Sequence, residues 1–274
     1  MNLFKGSGEF FALDIGTNAI RVVQLGGGPG SWSLLHYGYA PVDTKLTAAD
    51  SAESRRRLSE IIMTAVGQSG IKTKNVVIGL PSNKTFTTVI DVPTTSEAEF
   101  KAMMKYQVDQ YIPMSIDEAQ VDWALLGPSL HAQGQQEVLL TSTAKNYSED
   151  RLEMVEALGF DVLGAEPDPI AMVRALVAPN VGQTASLLLD MGELSTDIAI
   201  TYGDTPRLIR TIPMGIGSLV KAAVQNLNVK DDQARQFILK FGLAPDRLDG
   251  QVLHAIDGTL ENFAAELVKS LKFF

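Results

Sequence analysis

Hydrophobic residues in the first part of the chain follow a strand, turn, strand pattern. Residues 10–15 and 19–25 are apolar runs separated by Gly16-Thr17-Asn18, and residues 31–39 form a third run. Short apolar runs bounded by turn residues are typical of paired strands. The glycine-rich residues 26–30, which separate the second and third runs, are predicted to form a hairpin loop rather than a phosphate cradle.

A helical pattern follows the three strands. Four apolar residues recur at helical spacing: Leu58, Ile61, Ile62 and Ala65. They predict an amphipathic helix over residues 52–68, which Gly70 ends. A return strand is predicted over residues 75–80.

Residues 81–143 carry a different pattern, with strands predicted over 84–92, 119–126 and 137–143. Ser96-Glu97-Ala98-Glu99 has the spacing of a helix capping box, so a helix is predicted between the first two of these strands. This segment is therefore expected to be a small α+β insertion.

The first domain is predicted to resume after the insertion, with a helix from Ser148, a strand over 160–165 and a helix over 168–176. A second domain then begins with an apolar strand at 186–190. The last predicted helix covers residues 260–274.

One short motif occurs twice. Leu13-Asp14-Ile15-Gly16-Thr17 and Leu189-Asp190-Met191-Gly192-Glu193 each end an apolar strand with an aspartate and continue into a turn and a second strand. Two homologous halves are the simplest explanation. We therefore predict an α/β fold with a first domain, an inserted subdomain and a second domain, with these bounds: residues 1–80 with 144–180, residues 81–143, and residues 181–274.

Composition and charge narrow the range of functions. The 274 residues include no cysteine and three scattered histidines, so disulfides, thiolate metal sites and a zinc site are not expected. Lys plus Arg number 23 and Asp plus Glu 32, and the resulting net charge of −9 argues against nucleic acid as a partner. No stretch approaches the ~20 apolar residues that span a bilayer, so we expect a soluble protein kept inside the cell.

The repeated motif has the parts needed to hold a polyphosphate. Glycine lets the backbone come close to phosphates, and the amide groups of a turn can donate to their oxygens. Asp14 and Asp190 would repel phosphates on their own, so they imply a Mg²⁺ ion, held directly or through water. A single Asp-x-Gly after a strand is usually only a turn, whereas two copies that each open a domain half favour a nucleotide site.

These motifs resemble those of the actin-like ATPase superfamily. Residues 14–21 are similar to the first phosphate loop of actin, heat-shock chaperones and FtsA, and residues 190–197 are similar to the second. Residues 214–217 resemble the glycine pair that borders the nucleotide. The resemblance implies ATP and Mg²⁺ as cofactors and the following binding residues: Asp14, Gly16, Thr17, Asn18, Arg21, Asp190, Gly192, Glu193, Ser195, Thr196, Gly215 and Gly217.

Two residues in this set of motifs have alternative interpretations. Asp168-Pro169-Ile170-Ala171 resembles the Glu-Pro-x-Ala whose carboxylate positions the hydrolytic water, and Glu166 lies two residues earlier, so Asp168 and Glu166 are the catalytic candidates. The alternative for Asp168 is a plain helix N-cap. Arg21 takes the place of a phosphate-binding lysine, and its alternative is an ion pair with a carboxylate.

The insertion narrows the resemblance to the FtsA and PilM group, in which a small subdomain interrupts the first half. Leu80-Pro81, Ile90-Asp91-Val92-Pro93 and residues 107–113, Gln-Val-Asp-Gln-Tyr-Ile-Pro, are similar to the type IV pilus assembly protein PilM family, and the resemblance extends over essentially the whole chain. It implies an actin-like ATPase fold, a duplicated RNase H-like fold with a small α+β insertion and a second half that is incomplete at its C-terminus.

The same resemblance implies a cytoplasmic scaffold in type IV pilus biogenesis and twitching motility, with ATPase activity that is slow at most. Its expected partner is the N-terminal cytoplasmic peptide of a PilN-like inner-membrane protein, bound in a groove between the first domain and the insertion. Pilus ATPases are further implied partners. Contact with the inner membrane is expected only through the partner.

Two departures from the superfamily keep other functions open. Residues 234–238 read Ala-Arg-Gln-Phe-Ile where the superfamily has Ala-Glu-x-x-Lys beside the ribose and adenine, and family members continue past the final helix with a further strand. The alternatives are a pseudo-ATPase scaffold, an FtsA-like cell-division membrane tether with a tail at Leu271, Phe273 and Phe274, and a sugar-kinase-type phosphotransferase. The last is disfavoured because only Asp168 could serve as its base.

Overall fold

The computed structural model describes residues 9–28, 31–49, 51–177 and 182–272. The predictions made for residues 29–30, for the turn at 178–181 and for Phe273 and Phe274 lie outside this part of the chain. The structure divides into two compact units, the second of which comprises Gly182–Gly203 and the chain from Arg207 onward.

The first unit begins with the predicted strands and helix. In chain order its elements are β1 (Phe11–Ile15), β2 (Ala19–Gly26), β3 (Ser33–Pro41), α1 (Thr44–Ala48), α2 (Ala52–Ser69) and β4 (Asn75–Leu80). The Ser51 hydroxyl caps α2 by accepting from the Ser54 amide, and Gly70, with a φ of 79°, ends the helix in the left-handed region. The helix prediction is confirmed, whereas the short helix α1 was not predicted.

The next segment forms a sheet of its own. Its elements are β5 (Thr85–Pro93), α3 (Glu97–Gln107), β6 (Ala119–Pro128) and β7 (Gln135–Ala144), and the strands are antiparallel in the order β5-β7-β6. The capping box at Ser96 and Glu99 is confirmed. One face of this sheet and α3 enclose a separate hydrophobic core that includes Phe100, Met104 and Val138.

The first unit then continues with α4 (Lys145–Glu156), β8 (Asp161–Pro167) and α5 (Asp168–Leu176). Its larger sheet has the order β3-β2-β1-β4-β8, with β1 parallel to β4 and β4 parallel to β8. Alternate residues of β1, namely Phe11, Leu13 and Ile15, are buried in a core that includes Leu58 and Ile62 of α2.

The second unit is built from β9 (Ala185–Met191), β10 (Thr196–Tyr202), β11 (Thr205–Ile212), α6 (Ile216–Leu227), α7 (Asp231–Phe241) and α8 (Gln251–Leu271). Its sheet order is β11-β10-β9. The prediction that the last helix starts at Leu260 is wrong, because Val252, Ala255 and Ile256 carry its buried face further toward the N-terminus. Gly250, with a φ of 72°, precedes that start.

Among the described residues, no helix is both long enough and apolar enough to cross a bilayer. The exact bounds of the first domain, the insertion and the second domain stay predictions.

Candidate functional site

The first repeated motif forms the turn between β1 and β2. Asp14 lies opposite Arg21 in the strand pair, and Ile15 lies opposite Ile20. The Gly16 amide closes the turn by donating to the Ala19 carbonyl at 3.0 Å. Backbone atoms of the predicted residues Thr17 and Asn18 anchor the turn, since the Thr17 carbonyl accepts from the Thr47 hydroxyl at 2.9 Å and the Asn18 carbonyl accepts from the Val42 amide at 2.9 Å.

Asp14 and Arg21 form an ion pair across these strands. The Arg21 guanidinium donates to the Asp14 carboxylate at 3.0 Å, and the two side chains remain 47% and 41% exposed. A Cβ atom at Gly16 would lie 2.9 Å from the Arg21 guanidinium, so a side chain at this position would disturb the pair. The structure thus shows the carboxylate pairing of Arg21, in a position where both charged groups can still meet a ligand.

The second motif forms the same turn between β9 and β10. The Gly192 amide donates to the Ser195 carbonyl at 2.9 Å, and Asp190 lies opposite Asp197 as Asp14 lies opposite Arg21. Asp190 is exposed. The first and second motifs therefore share a strand register and a turn, and they differ in the residue that faces the aspartate.

The first residues after the second turn form buried side-chain hydrogen bonds within the second unit. Asp197 is buried and accepts from the Thr211 hydroxyl at 2.7 Å. Thr196, a predicted binding residue, is fully buried, and its hydroxyl donates to the Met214 carbonyl at 2.7 Å. The Thr196 hydroxyl thus connects β10 to the segment just before α6.

Helix α6 starts directly against the second turn, which explains the predicted glycine pair. The amide groups of Ile216 and Gly217 donate to the carbonyl groups of Gly192 and Glu193, each at 2.9 Å. A Cβ atom at Gly217 would lie 2.9 Å from a Glu193 carboxylate oxygen, and a Cβ atom at Gly215 would collide with the backbone of the same turn. Both glycines are needed for this close approach.

Glu193 forms an ion pair with Arg235, which the sequence shows only as a difference from the superfamily pattern at residues 234–238. Two guanidinium nitrogens of Arg235, on α7, donate to the two Glu193 carboxylate oxygens at 2.8 and 3.0 Å. The Glu193 side chain is only 11% exposed. The hydrogen bonds to Glu193 raise the pKa of Arg235. In the sequence, Arg235 stands where the superfamily pattern Ala-Glu-x-x-Lys has Glu. That Arg235 pairs with Glu193 could be identified only in the folded chain.

The two catalytic candidates lie at the start of α5. Asp168 is the first residue of the helix and Pro167 is its N-cap, so the N-cap interpretation of Asp168 does not hold. One carboxylate oxygen of Asp168 would lie 2.5 Å from a Cβ atom at Gly79, which makes Gly79 a glycine that the sequence analysis missed. Glu166 is buried and forms an ion pair with Arg174 on α5. Burial raises the pKa of Glu166, although the Arg174 charge acts in the opposite direction.

A pocket in the first unit was not predicted. It lies where the chain passes between the two sheets of this unit: Lys84 is in the connection from β4 to β5, and the Thr143 hydroxyl near the end of β7 donates to the Lys84 carbonyl at 2.8 Å. The pocket is lined by Thr47, Ala48, Ala49, Arg55, Leu58, Lys84, Tyr147, Asp150, Arg151 and Met154.

Tyr147 is the centre of the charged side of this pocket. The Lys84 ammonium lies 5.5 Å and the Arg151 guanidinium 5.3 Å from the centroid of its ring, and Arg151 also donates to its hydroxyl at 3.3 Å. Arg55 pairs with Asp150 at 2.9 Å. Three cations and one carboxylate therefore line the pocket, beside the apolar side chains of Leu58 and Met154.

The family model for the type IV pilus assembly protein PilM matches residues 12–274. The chain belongs to the PilM family. In the solved structure of a PilM–PilN type IV pilus biogenesis complex, one chain is similar to this chain with a TM-score of 0.79 and 23% identity, over 97% of this chain and 77% of that one.

Two more distant structures extend the likeness in fold. The ethanolamine utilization protein EutJ from Carboxydothermus hydrogenoformans has a TM-score of 0.56 and 13% identity, over 96% of this PilM-family chain and 71% of its own. MreB 5 of Spiroplasma citri, solved with bound AMPPNP, has a TM-score of 0.52 and 12% identity, over 96% of this chain and 78% of the MreB 5 chain. The predicted actin-like fold is confirmed.

Proposed function

We propose that this PilM-family protein is a cytoplasmic scaffold of the type IV pilus assembly platform and that it binds the N-terminal peptide of a PilN-like inner-membrane protein. The observation that carries the proposal is the PilM match over residues 12–274, together with the pocket in the first unit. Association with the inner membrane then takes place through this partner. Contacts with pilus ATPases and a role in twitching motility belong to the same proposal.

The pocket around Tyr147 is the proposed anchor for the peptide. An extended peptide presents carbonyl acceptors and alternating side chains, and grooves that combine apolar surface with a few polar groups recognise such segments. Leu58 and Met154 offer the apolar surface, and Lys84 and Arg151 offer donors. The pocket lies beside the two connections between the larger and the smaller sheet, and the family resemblance implies a groove between the first domain and the insertion, which supports this choice.

We further propose that the protein binds ATP with Mg²⁺ and that each of the two repeated turns, considered by itself, is a phosphate-binding turn. Both turns carry a glycine where an added side chain would crowd its surroundings, and both follow a carboxylate that solvent can reach, Asp14 or Asp190. These residues fit a polyphosphate with a bound cation, which would neutralise charge between the carboxylates and the phosphates. Within the described residues no three His, Cys, Asp or Glu side chains are grouped to hold a metal ion.

The remaining predicted residues have defined tasks in this proposal. Thr17, Asn18, Ser195 and Thr196 shape the two turns, and Gly215 and Gly217 bring α6 against the second turn. Asp168 and Glu166 stay the candidates for positioning water in a slow hydrolysis. Glu166 is already paired with Arg174, so a role for it in positioning water would require this pair to open.

A peptide titration tests the scaffold function. A synthetic copy of the N-terminal cytoplasmic segment of the PilN-like protein is expected to bind, and Tyr147→Ala is expected to weaken the affinity about tenfold, or ~1.4 kcal/mol, because it removes the ring that Lys84 and Arg151 flank. Isothermal titration calorimetry measures both affinities.

The matched control is Tyr106→Ala, because the Tyr106 side chain is exposed on α3 and does not line the pocket. Its affinity should equal that of the unaltered protein. Failure of the unaltered protein to bind would refute the partner, and equal affinities for the Tyr147→Ala and unaltered proteins would place the peptide elsewhere.

A further inference from the structure

The ion pair between Glu193 and Arg235 lies on the second of the two turns that we propose as the nucleotide site. Glu193 directly follows Gly192, and Arg235 is on α7, so the pair joins the turn to a helix that is distant in sequence. Both carboxylate oxygens are engaged, and the Arg235 side chain is 36% exposed. A two-bond arginine–carboxylate contact of this kind fixes the geometry of both side chains.

This pair changes what the turn can do with an anion. A carboxylate beside a phosphate-binding turn repels phosphate, and the cation that neutralises Glu193 is one that could otherwise attract it. The first amide groups of a helix are commonly available to anions, but those of Ile216 and Gly217 donate to the turn itself. Arg235 is therefore a nearby positive charge that a phosphate on this turn could recruit, and it is occupied by Glu193.

We propose that Arg235 acts as an internal counter-ion which keeps the second turn closed, and that a nucleoside triphosphate engages this turn only when Arg235 leaves Glu193. The proposal rests on the proposed nucleotide site and concerns its regulation. Binding of the nucleoside triphosphate then requires the separation of Arg235 from Glu193. The affinity for the nucleotide is therefore lower than it would be for the same turn without this ion pair. The released guanidinium becomes a phosphate contact.

Glu193→Gln is the direct test, because it removes the negative charge, keeps the side-chain shape and weakens the hold on Arg235. Mg-ATP is expected to bind this variant about tenfold more tightly than the unaltered protein, measured by calorimetry; tenfold corresponds to ~1.4 kcal/mol. Arg235→Gln should not share this gain, because it leaves the Glu193 carboxylate next to the phosphates. Weaker binding by Glu193→Gln would overturn the proposal, since Glu193 would then contribute to ligand binding.

The matched control is Glu266→Gln in the same unit. It breaks the ion pair between Arg210 and Glu266, whose atoms are 2.7 Å apart, on β11 and α8. Its Mg-ATP affinity should equal that of the unaltered protein. An equal gain in both variants would mean that a general loosening, and not the release of Arg235, raises affinity.

A second measurement needs no nucleotide. Backbone amides 192–195 and 216–218 are expected to exchange with deuterium faster in Glu193→Gln than in the unaltered protein, and unchanged exchange would refute the closing role of the pair. If exchange quickens but neither protein binds Mg-ATP, the nucleotide site itself is wrong and the gating fails with it. If both bind Mg-ATP equally, the nucleotide site stands and only the counter-ion role is lost.

Discussion

Several charged residues of the described chain pair with a partner on a different strand or helix. Asp14 meets Arg21 across a strand pair, Glu166 on β8 meets Arg174 on α5, and Glu193 meets Arg235 on α7. The Asp14 side chain is 41% exposed, whereas the side chains of Glu166 and Glu193 are only 9% and 11% exposed. The buried pairs carry the larger desolvation cost, so they respond most to a change of charge.

Glu166 gives the clearest pH dependence. Its pKa is raised above the ordinary value of 4.5 in the folded state, so the folded protein takes up a proton more readily than the unfolded chain. The folded state gains stability from this proton uptake. The gain is fully present below a pH of about 4.5, and it is lost as the pH rises through the raised pKa of Glu166. Relative to Glu166→Gln, the unaltered protein should gain unfolding free energy as the pH is lowered through that window.

Urea unfolding at a series of pH values measures this difference. The control variant is Glu137→Gln, which also replaces a buried carboxylate. Its unfolding free energy should change with pH in the same way as that of the unaltered protein, because Glu166 is still present. A difference between the unaltered protein and Glu166→Gln that is flat with pH would show that the pKa of Glu166 is the same in the folded and the unfolded protein, and a loss of stability as the pH is lowered would show that the Arg174 charge outweighs burial.

At the scale of elements, helix α3 shows how local sequence fixes a helix start. The Ser96 hydroxyl accepts from the Glu99 amide at 3.4 Å, and the Ser96 amide donates to the Glu99 carboxylate at 3.1 Å. Helix α2 has a single cap at Ser51. The four residues of a capping box lie within one turn, so they can be identified without knowledge of the tertiary fold.

Ser96→Ala is expected to lower the unfolding free energy of the protein by about 1 kcal/mol, because it leaves the first amide groups of α3 without an acceptor. Ser96→Asp, which retains an acceptor at the cap, should restore most of the loss. Thermal or urea unfolding of the two variants provides the measurement, and an equal loss in both would show that the hydroxyl does not act as a cap.

At the scale of the whole molecule, the hydrophobic residues form separate cores. One core lies between the larger sheet of the first unit and its helices, another lies in the segment Thr85–Ala144, and the second unit has its own. A defect in one core should therefore act first on the elements around it.

Met104→Ala tests this independence. Met104 is fully buried in the core of the inserted sheet, so its truncation should cost about 2–5 kcal/mol of local stability. Amide hydrogen exchange should quicken across residues 85–144, while amides of the second unit keep their protection. Met63→Ala, at a position that is 45% exposed on α2, is the control and should change little. A uniform loss of protection would mean that the chain unfolds as one cooperative unit.

The sequence by itself determined most elements of this protein, because their signals are local. Periodicity placed helix α2 and the strands, the capping box placed α3, and the repetition of Asp-x-Gly at 14 and 190 revealed the duplicated halves. Short runs matched in order along the chain, such as residues 107–113, carried the PilM resemblance, which the family match over residues 12–274 confirms. Even so, local reading missed the start of α8 at Gln251, whose first turns are stabilised by packing.

Only the tertiary structure decided which side chains meet. Arg235 and Glu193, Arg174 and Glu166, and the residues around Tyr147 are brought together by the packing of separate elements. Gly79 has no distinguishing signal in the sequence, and its close approach to the Asp168 carboxylate, like that of Gly217 to the Glu193 carboxylate, is visible only in the fold. The physical reason is that ion pairs and steric contacts depend on distances of a few ångströms between residues far apart in the chain, and periodicity contains no information about those distances.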